Sequence, residues 1–158
     1  MFMVIRMEYK YTYTSYSEED TLVLAQNFES EKFENMVICL IGELGSGKTV
    51  FAKGFAGALG IEENITSPTF NIIKEYNSGE MDLYHMDVYR LEGDTSNLGL
   101  EEYMNKGGIT IIEWADLIKD ELPEERVEIR FKIAGEEKRI LTITPYGSKY
   151  ENLCEDVL

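Results

Sequence analysis

The chain is predicted to form a three-layer α/β fold around a mixed central sheet with antiparallel hairpins. Three features of the sequence point to it. Val37-Ile38-Cys39-Leu40-Ile41 is an unbroken apolar run, as expected of a strand buried on both faces, and helix-forming sequence follows it within a few residues. Asn77-Ser78-Gly79-Glu80 and Ala134-Gly135-Glu136-Glu137 each separate two β-patterned stretches, which is the signature of hairpins. Apolar stripes at helical spacing lie between the strands, as the outer layers require.

In chain order, Glu8 to Thr14 alternates Tyr and Thr with polar residues and reads as a strand. Ser17 is placed to cap a helix running to about Ser30, with Glu18, Glu19 and Asp20 in its first turn and Leu22, Ala25 and Phe28 along one face. This opening strand and helix read as scaffold. The apolar run at Val37 then enters Gly42-Glu43-Leu44-Gly45-Ser46-Gly47-Lys48-Thr49, the G-x-x-x-x-G-K-T pattern of a P-loop, in the strand, loop and helix order that the motif needs. Its glycines let backbone N–H groups approach phosphate oxygens, and the following helix adds the positive end of its dipole. Lys48 is expected to reach the β- and γ-phosphates and the Thr49 hydroxyl to ligate Mg²⁺, so ATP and Mg²⁺ are the expected cofactors.

Val50, Phe51, Phe55, Ala58 and Leu59 mark that helix, which Gly60 ends. Gly54 and Gly57 are expected to permit close packing on the sheet. Thr66-Ser67-Pro68-Thr69 is a loop, Phe70 to Tyr76 a strand, and Met81 to Val88 its returning partner. Leu98 to Met104 reads as a short amphipathic helix, Ile109 to Ile112 as a buried strand ending in Glu113-Trp114, and a short helix follows to Ile118. Val127, Ile129, Phe131 and Ile133 alternate with charged residues, and Ile140 to Thr144 returns, giving an edge hairpin. Residues 145–158 read as a tail on a single domain spanning 1–158, with a terminal helix over Tyr146 to Leu158 as the lesser alternative.

With 158 residues the chain is long enough to bury a core without staples. Its formal charge of −15 argues against broad nucleic-acid contact, which needs clustered Lys and Arg, and means that ATP must be held by local geometry. An acidic surface keeps a protein soluble, and it also suits docking on a basic protein partner. Cys39 and Cys154 read as buried free thiols. No run is long enough to span a membrane, and the expected location is the cytoplasm.

Hydrolysis needs a further acidic group near Mg²⁺ and something to position a water. Asp87 and Glu113, each at the end of a strand, are the candidates, and which serves the metal and which the water stays open. His85, the only histidine, shares a strand face with Asp87; it is either structural or it orients Asp87 or a water. Trp114, the only tryptophan, either fills the core or stacks at the nucleotide site. Arg90 either contacts phosphate or pairs with a carboxylate.

Gly42 to Thr49, Thr66-Ser67-Pro68-Thr69-Phe70, His85-Met86-Asp87-Val88-Tyr89-Arg90-Leu91 and Ile112-Glu113-Trp114 occur in fixed order. Together they resemble the TsaE (YjeE) family of small bacterial P-loop ATPases over essentially Tyr11 to Gly147. The resemblance implies a P-loop NTPase fold and an accessory ATPase in making threonylcarbamoyladenosine, the modified adenosine beside the anticodon of tRNAs that read codons starting with A. It implies TsaB and TsaD as partners, with TsaD transferring the threonylcarbamoyl group and TsaC making its adenylate donor. It also implies a switch-I-like Thr66 to Phe70, a switch-II-like His85 to Leu91, a Walker-B-like Glu113 and a functional Trp114. The expected nucleotide-binding set is Gly42, Glu43, Leu44, Gly45, Ser46, Gly47, Lys48, Thr49, Val50, Thr69 and Trp114. Lys48, Asp87 and Glu113 are the expected catalytic residues, and Thr49 and Glu113 the metal ligands.

Three rivals have to be weighed. A small-molecule kinase normally closes an arginine-bearing lid over the phosphates, whereas Arg126, Arg130 and Arg139 fall in the last hairpin. A GTPase normally carries N-K-x-D, and Asn105-Lys106-Gly107-Gly108 lacks the Asp. A nucleotide-dependent docking module would bind ATP with incidental turnover. Hydrolysis by the isolated chain is expected to be slow, since no arginine finger is evident in cis.

Overall fold

The computed structural model describes residues 10–66, 68, 72–89 and 99–158. Among these, Tyr11–Ser15 (β1), Glu18–Ser30 (α1), Val37–Gly42 (β2), Lys48–Ala58 (α2), Ile73–Tyr76 (β3), Leu83–Asp87 (β4), Leu100–Met104 (α3), Ile109–Glu113 (β5), Arg126–Ile133 (β6), Arg139–Tyr146 (β7) and Ser148–Val157 (α4) follow in order. A 3-10 segment, Ala115–Glu121, links β5 to β6 and is kinked at Ile118. The expectations at Ser67, Thr69, Phe70, Arg90 and Leu98 lie outside the described residues.

The strands form one seven-stranded sheet in the order β1-β7-β6-β2-β5-β4-β3. β2 runs parallel to both β5 and β6, β4 runs parallel to β5, and the outer pairs are antiparallel. The sheet is therefore mixed, with antiparallel hairpins at β3–β4 and β6–β7. The apolar run of β2 has a direct physical reason. Ile38 and Leu40 face one core with α1, α2 and α4, while Val37, Cys39 and Ile41 face another with α3 and the 3-10 segment. A strand with helices on both faces has no wet side, so its sequence cannot alternate.

Ser17 caps α1 as expected, its Oγ accepting from Asp20 N at 3.2 Å. Four expectations need correction. The β6–β7 hairpin is not the sheet edge, because β1 pairs antiparallel with β7 (Tyr13 opposite Leu141) and covers it. Residues after β7 are not a tail but α4, whose Tyr150, Leu153 and Cys154 fall on one helical face and enter the core. Gly54 faces α1 rather than the sheet: a Cβ there would lie 3.0 Å from Ala25 Cβ and 3.1 Å from Leu22 Cα. The helix expected to stop at Ile118 continues past its kink to Glu121. Both cysteines are free and buried. Among the described residues no helix is long and apolar enough to cross a membrane.

Candidate functional site

β2 delivers the chain at Gly42 to the loop that precedes α2. Gly47, the residue before α2, sits at φ +112, a left-handed conformation that side chains rarely adopt. α2 has no side-chain cap and no acidic residue in its first turn. α1 is the opposite case, with Ser17 as cap and three acids behind it. The positive end of the α2 dipole is thus left for an anion from elsewhere.

Lys48 opens α2 yet is only 5% exposed. Its Nζ donates to the carbonyls of Gly42 and of Glu43, the latter at 3.0 Å, and lies 4.0 Å from the centre of the Trp114 ring. Burial pushes the Lys48 pKa down, while the carboxylates of Glu113, Asp87 and Asp116 push it back up. The ammonium is thus poorly hydrated and held by groups that an incoming phosphate can replace.

The next residue, Thr49, donates its hydroxyl to Glu113 Oε1 at 3.3 Å. Glu113 ends β5, the immediate neighbour of β2, and is 2% exposed. Its other oxygen, Oε2, lies 2.5 Å from His85 Nε2. His85 therefore meets Glu113 rather than Asp87. The neighbouring strand β5 brings the Glu113 carboxylate to the imidazole. Asp87 ends β4 and stands opposite Glu113 in register. β4 lies one strand further from β2 than β5 does, and Asp87 lines the cleft from there. Its Oδ1 accepts from Tyr89 N at 3.0 Å. Burial raises the Asp87 pKa; the Tyr89 N–H lowers it, the Glu113 charge raises it, and His85 and Lys48 lower it.

Trp114 adopts φ +61, uncommon for a bulky residue, and its N donates to Leu40 O at 2.9 Å. That turn directs the indole toward Lys48, where it also packs against Tyr89 with ring centroids 4.5 Å apart. Trp114 is half-buried, packed at the edge of the core while also lining the cleft.

These groups line a cleft of about 860 Å³. Of the residues expected to bind nucleotide, Leu44, Gly45, Gly47, Lys48, Thr49, Val50 and Trp114 line it. Leu44 stands 88% exposed at the loop apex. Gly42 and Glu43 instead turn their carbonyls to Lys48, and Ser46 is buried beneath the loop. Two further walls complete the cleft. Ser17, Glu18 and Thr21 come from the start of α1, and Glu136, Glu137 and Arg139 from the β6–β7 turn. Arg139 Nη2 donates to Gly45 O at 3.2 Å, tying that turn to the loop. No local pattern marks these walls, because they arise from β1 and β7 pairing across the whole chain.

The family described as "Threonylcarbamoyl adenosine biosynthesis protein TsaE" matches residues 15–141. The tRNA threonylcarbamoyladenosine biosynthesis protein TsaE of Bacillus subtilis (strain 168) is 48% identical over 139 residues, 88% of this chain and 88% of its own. The protein of the same name from Treponema pallidum is 43% identical over 112 residues, covering 70% of this chain and 82% of its own. A crystal structure of Bacillus subtilis YdiB superposes with a TM-score of 0.80 at 41% identity, covering 99% of this chain and 97% of that one.

Proposed function

The chain belongs to the TsaE family, and from that premise we propose that it serves the biosynthesis of threonylcarbamoyladenosine in tRNA as an ATP-binding ATPase acting on a TsaB–TsaD complex. The observation that carries the ATPase part is the meeting of the Thr49 hydroxyl and the Glu113 carboxylate at 3.3 Å, directly beside the loop and the α2 N-terminus. Two hard oxygen donors at that point fit Mg²⁺. Among the described residues no group of three His, Cys, Asp or Glu gathers into a metal cage. Mg²⁺ takes few protein ligands and shares the rest of its coordination with phosphates and water. When bound, Mg²⁺ supplies neutralising charge to the β- and γ-phosphate oxygens.

The remaining chemistry falls to the chain. Backbone N–H groups of the P-loop and the α2 dipole hold the phosphates, and Lys48 exchanges the Gly42 and Glu43 carbonyls for phosphate oxygens. Glu113, with Thr49, fixes the metal side of the site. Asp87, with its pKa raised by burial and one oxygen held by the Tyr89 N–H, orients the attacking water and accepts its proton. Water forms the new bond to the γ-phosphorus, the bond to the bridging oxygen breaks, and ADP leaves. Arg139, the arginine that lines the cleft among the described residues, is engaged with the carbonyls of Gly45, Gly135, Glu136 and Lys138. It is committed to holding the loop, which supports slow turnover until a partner completes the site. The charge of −15 supports a protein partner over direct grip on tRNA.

The test is ATP hydrolysis by the purified chain, alone and with a TsaB–TsaD complex. Slow turnover that the complex stimulates is expected. ATP binding with no hydrolysis in either condition would favour a docking module instead, and indifference to the complex would remove the assigned partner.

A further inference from the structure

His85 has no part in the chemistry above, yet it is 0% exposed and hydrogen-bonds a central carboxylate. It stands opposite Ile111 in the β4–β5 register, and Glu113 is two residues further on, on the same face of β5. Nε2 therefore reaches diagonally across one strand spacing to Glu113 Oε2 at 2.5 Å. The other ring nitrogen, Nδ1, meets no hydrogen-bond partner among the described residues. The two nitrogens are not equivalent in such a setting. A proton on Nδ1 would be a buried donor with no acceptor among the described residues, whereas a proton on Nε2 is received by a carboxylate. The tautomer with hydrogen on Nε2 is the one that this pocket stabilises.

We propose that His85 is a positioning residue that donates from Nε2 to Glu113 Oε2, locking the carboxylate so that Oε1 is presented to Thr49 and the metal position beside it. This rests on the ATPase function proposed above. A buried Glu side chain has three rotatable bonds, and the Thr49 hydroxyl at 3.3 Å is a weak tether for them. The imidazole supplies a shorter contact. Partners of this kind, one shell removed from a metal, change activity or metal affinity by about 10- to 100-fold when lost.

The test has two arms. Because His85 is the only histidine, the long-range ¹⁵N–¹H spectrum of the nucleotide-free chain contains one imidazole. A proton on Nε2 is expected, and a bare Nε2 would overturn the proposal whatever the protein does with ATP. In the second arm, His85→Leu and His85→Gln are compared for ATP affinity and for kcat with saturating Mg²⁺-ATP. The Leu variant should lose about 10- to 100-fold in kcat with ATP affinity kept within a few-fold, and the Gln variant, whose amide nitrogen can replace Nε2, should recover part of the loss. Equal kcat in wild type and His85→Leu would refute positioning. Glu113→Gln assayed alongside keeps the two ideas apart. If it hydrolyses ATP like wild type, the role given to Glu113 fails independently of the spectrum.

Discussion

Tyr150→Phe is a one-atom change whose cost can be worked from the fold. The Tyr150 hydroxyl, on α4, accepts from the backbone N of Val37 at 2.8 Å in a buried setting, and Val37 is the first residue of β2. Removing that oxygen leaves a buried N–H without its acceptor, at about 1–3 kcal/mol, while the ring keeps its packing against Phe33 at 5.1 Å. For a chain of this size each kcal/mol moves Tm by about 2–4 °C, so a drop of about 2–12 °C is expected by calorimetry. ATP affinity and turnover should not change, because the lost bond lies about 17 Å of strand away from Gly42. The pH dependence has a definite sign. Burial pushes the Tyr150 phenol up to about 12, although the Val37 N–H acts to lower it. The folded state then holds the proton more tightly than the unfolded chain, whose tyrosines titrate near pH 10. Stability from this group is complete below about pH 10 and is lost as pH rises through about 12, so the gap in Tm between wild type and variant should narrow across that window. A Tm within about 1 °C of wild type at neutral pH would refute the assignment of this bond.

The other perturbations act on the loop and its supports. Lys48→Ala should abolish ATP binding measured by titration, since the ammonium beside Gly42 and Glu43 is lost; wild-type hydrolysis in that variant would sink the P-loop assignment. Gly54→Val puts a side chain where a Cβ alone would lie 3.0 Å from Ala25 Cβ, and should cost about 1–3 kcal/mol by chemical denaturation; an unchanged midpoint would mean that α1 yields freely. Ser17→Ala removes the acceptor for Asp20 N and should cost about 1 kcal/mol. The same variant titrated with ATP reports whether the α1 wall touches nucleotide, where unchanged affinity would exclude the Ser17 side chain.

What sequence could and could not reveal follows from the range of the interactions involved. The β2 strand, the loop and α2 are local, and their pattern needs no knowledge of neighbours: an apolar run for a strand covered on both faces, glycine where φ is positive, a lysine and a threonine opening a helix. Glu113 was readable for the same reason, as the acid at the end of an apolar strand. Errors arose where a long-range pairing decides. Whether β6–β7 is an edge depends on β1 arriving from the other end of the chain. The partner of His85 depends on β5 lying beside β4, which no spacing within β4 can express. Gly54 does mark a close approach, but the partner is α1, and glycine alone does not say which neighbour comes near. In α4 the apolar residues Tyr150, Leu153 and Cys154 are interleaved with Glu151, Glu155 and Asp156, so the helix becomes evident only once its one apolar face is docked. Arg139 shows the same limit, reaching the loop across 94 positions.

The proposed ATPase function stands or falls with Glu113 and Thr49 as the metal side of the site. The most direct measurement is single-turnover hydrolysis of ATP by wild type and Glu113→Gln, with ATP binding followed in the same samples through the fluorescence of Trp114, the only tryptophan. ATP should bind both proteins to within a few-fold, while hydrolysis in the variant falls by about a hundredfold or more. Unchanged hydrolysis in Glu113→Gln would contradict the claim and pass the leading role to Asp87.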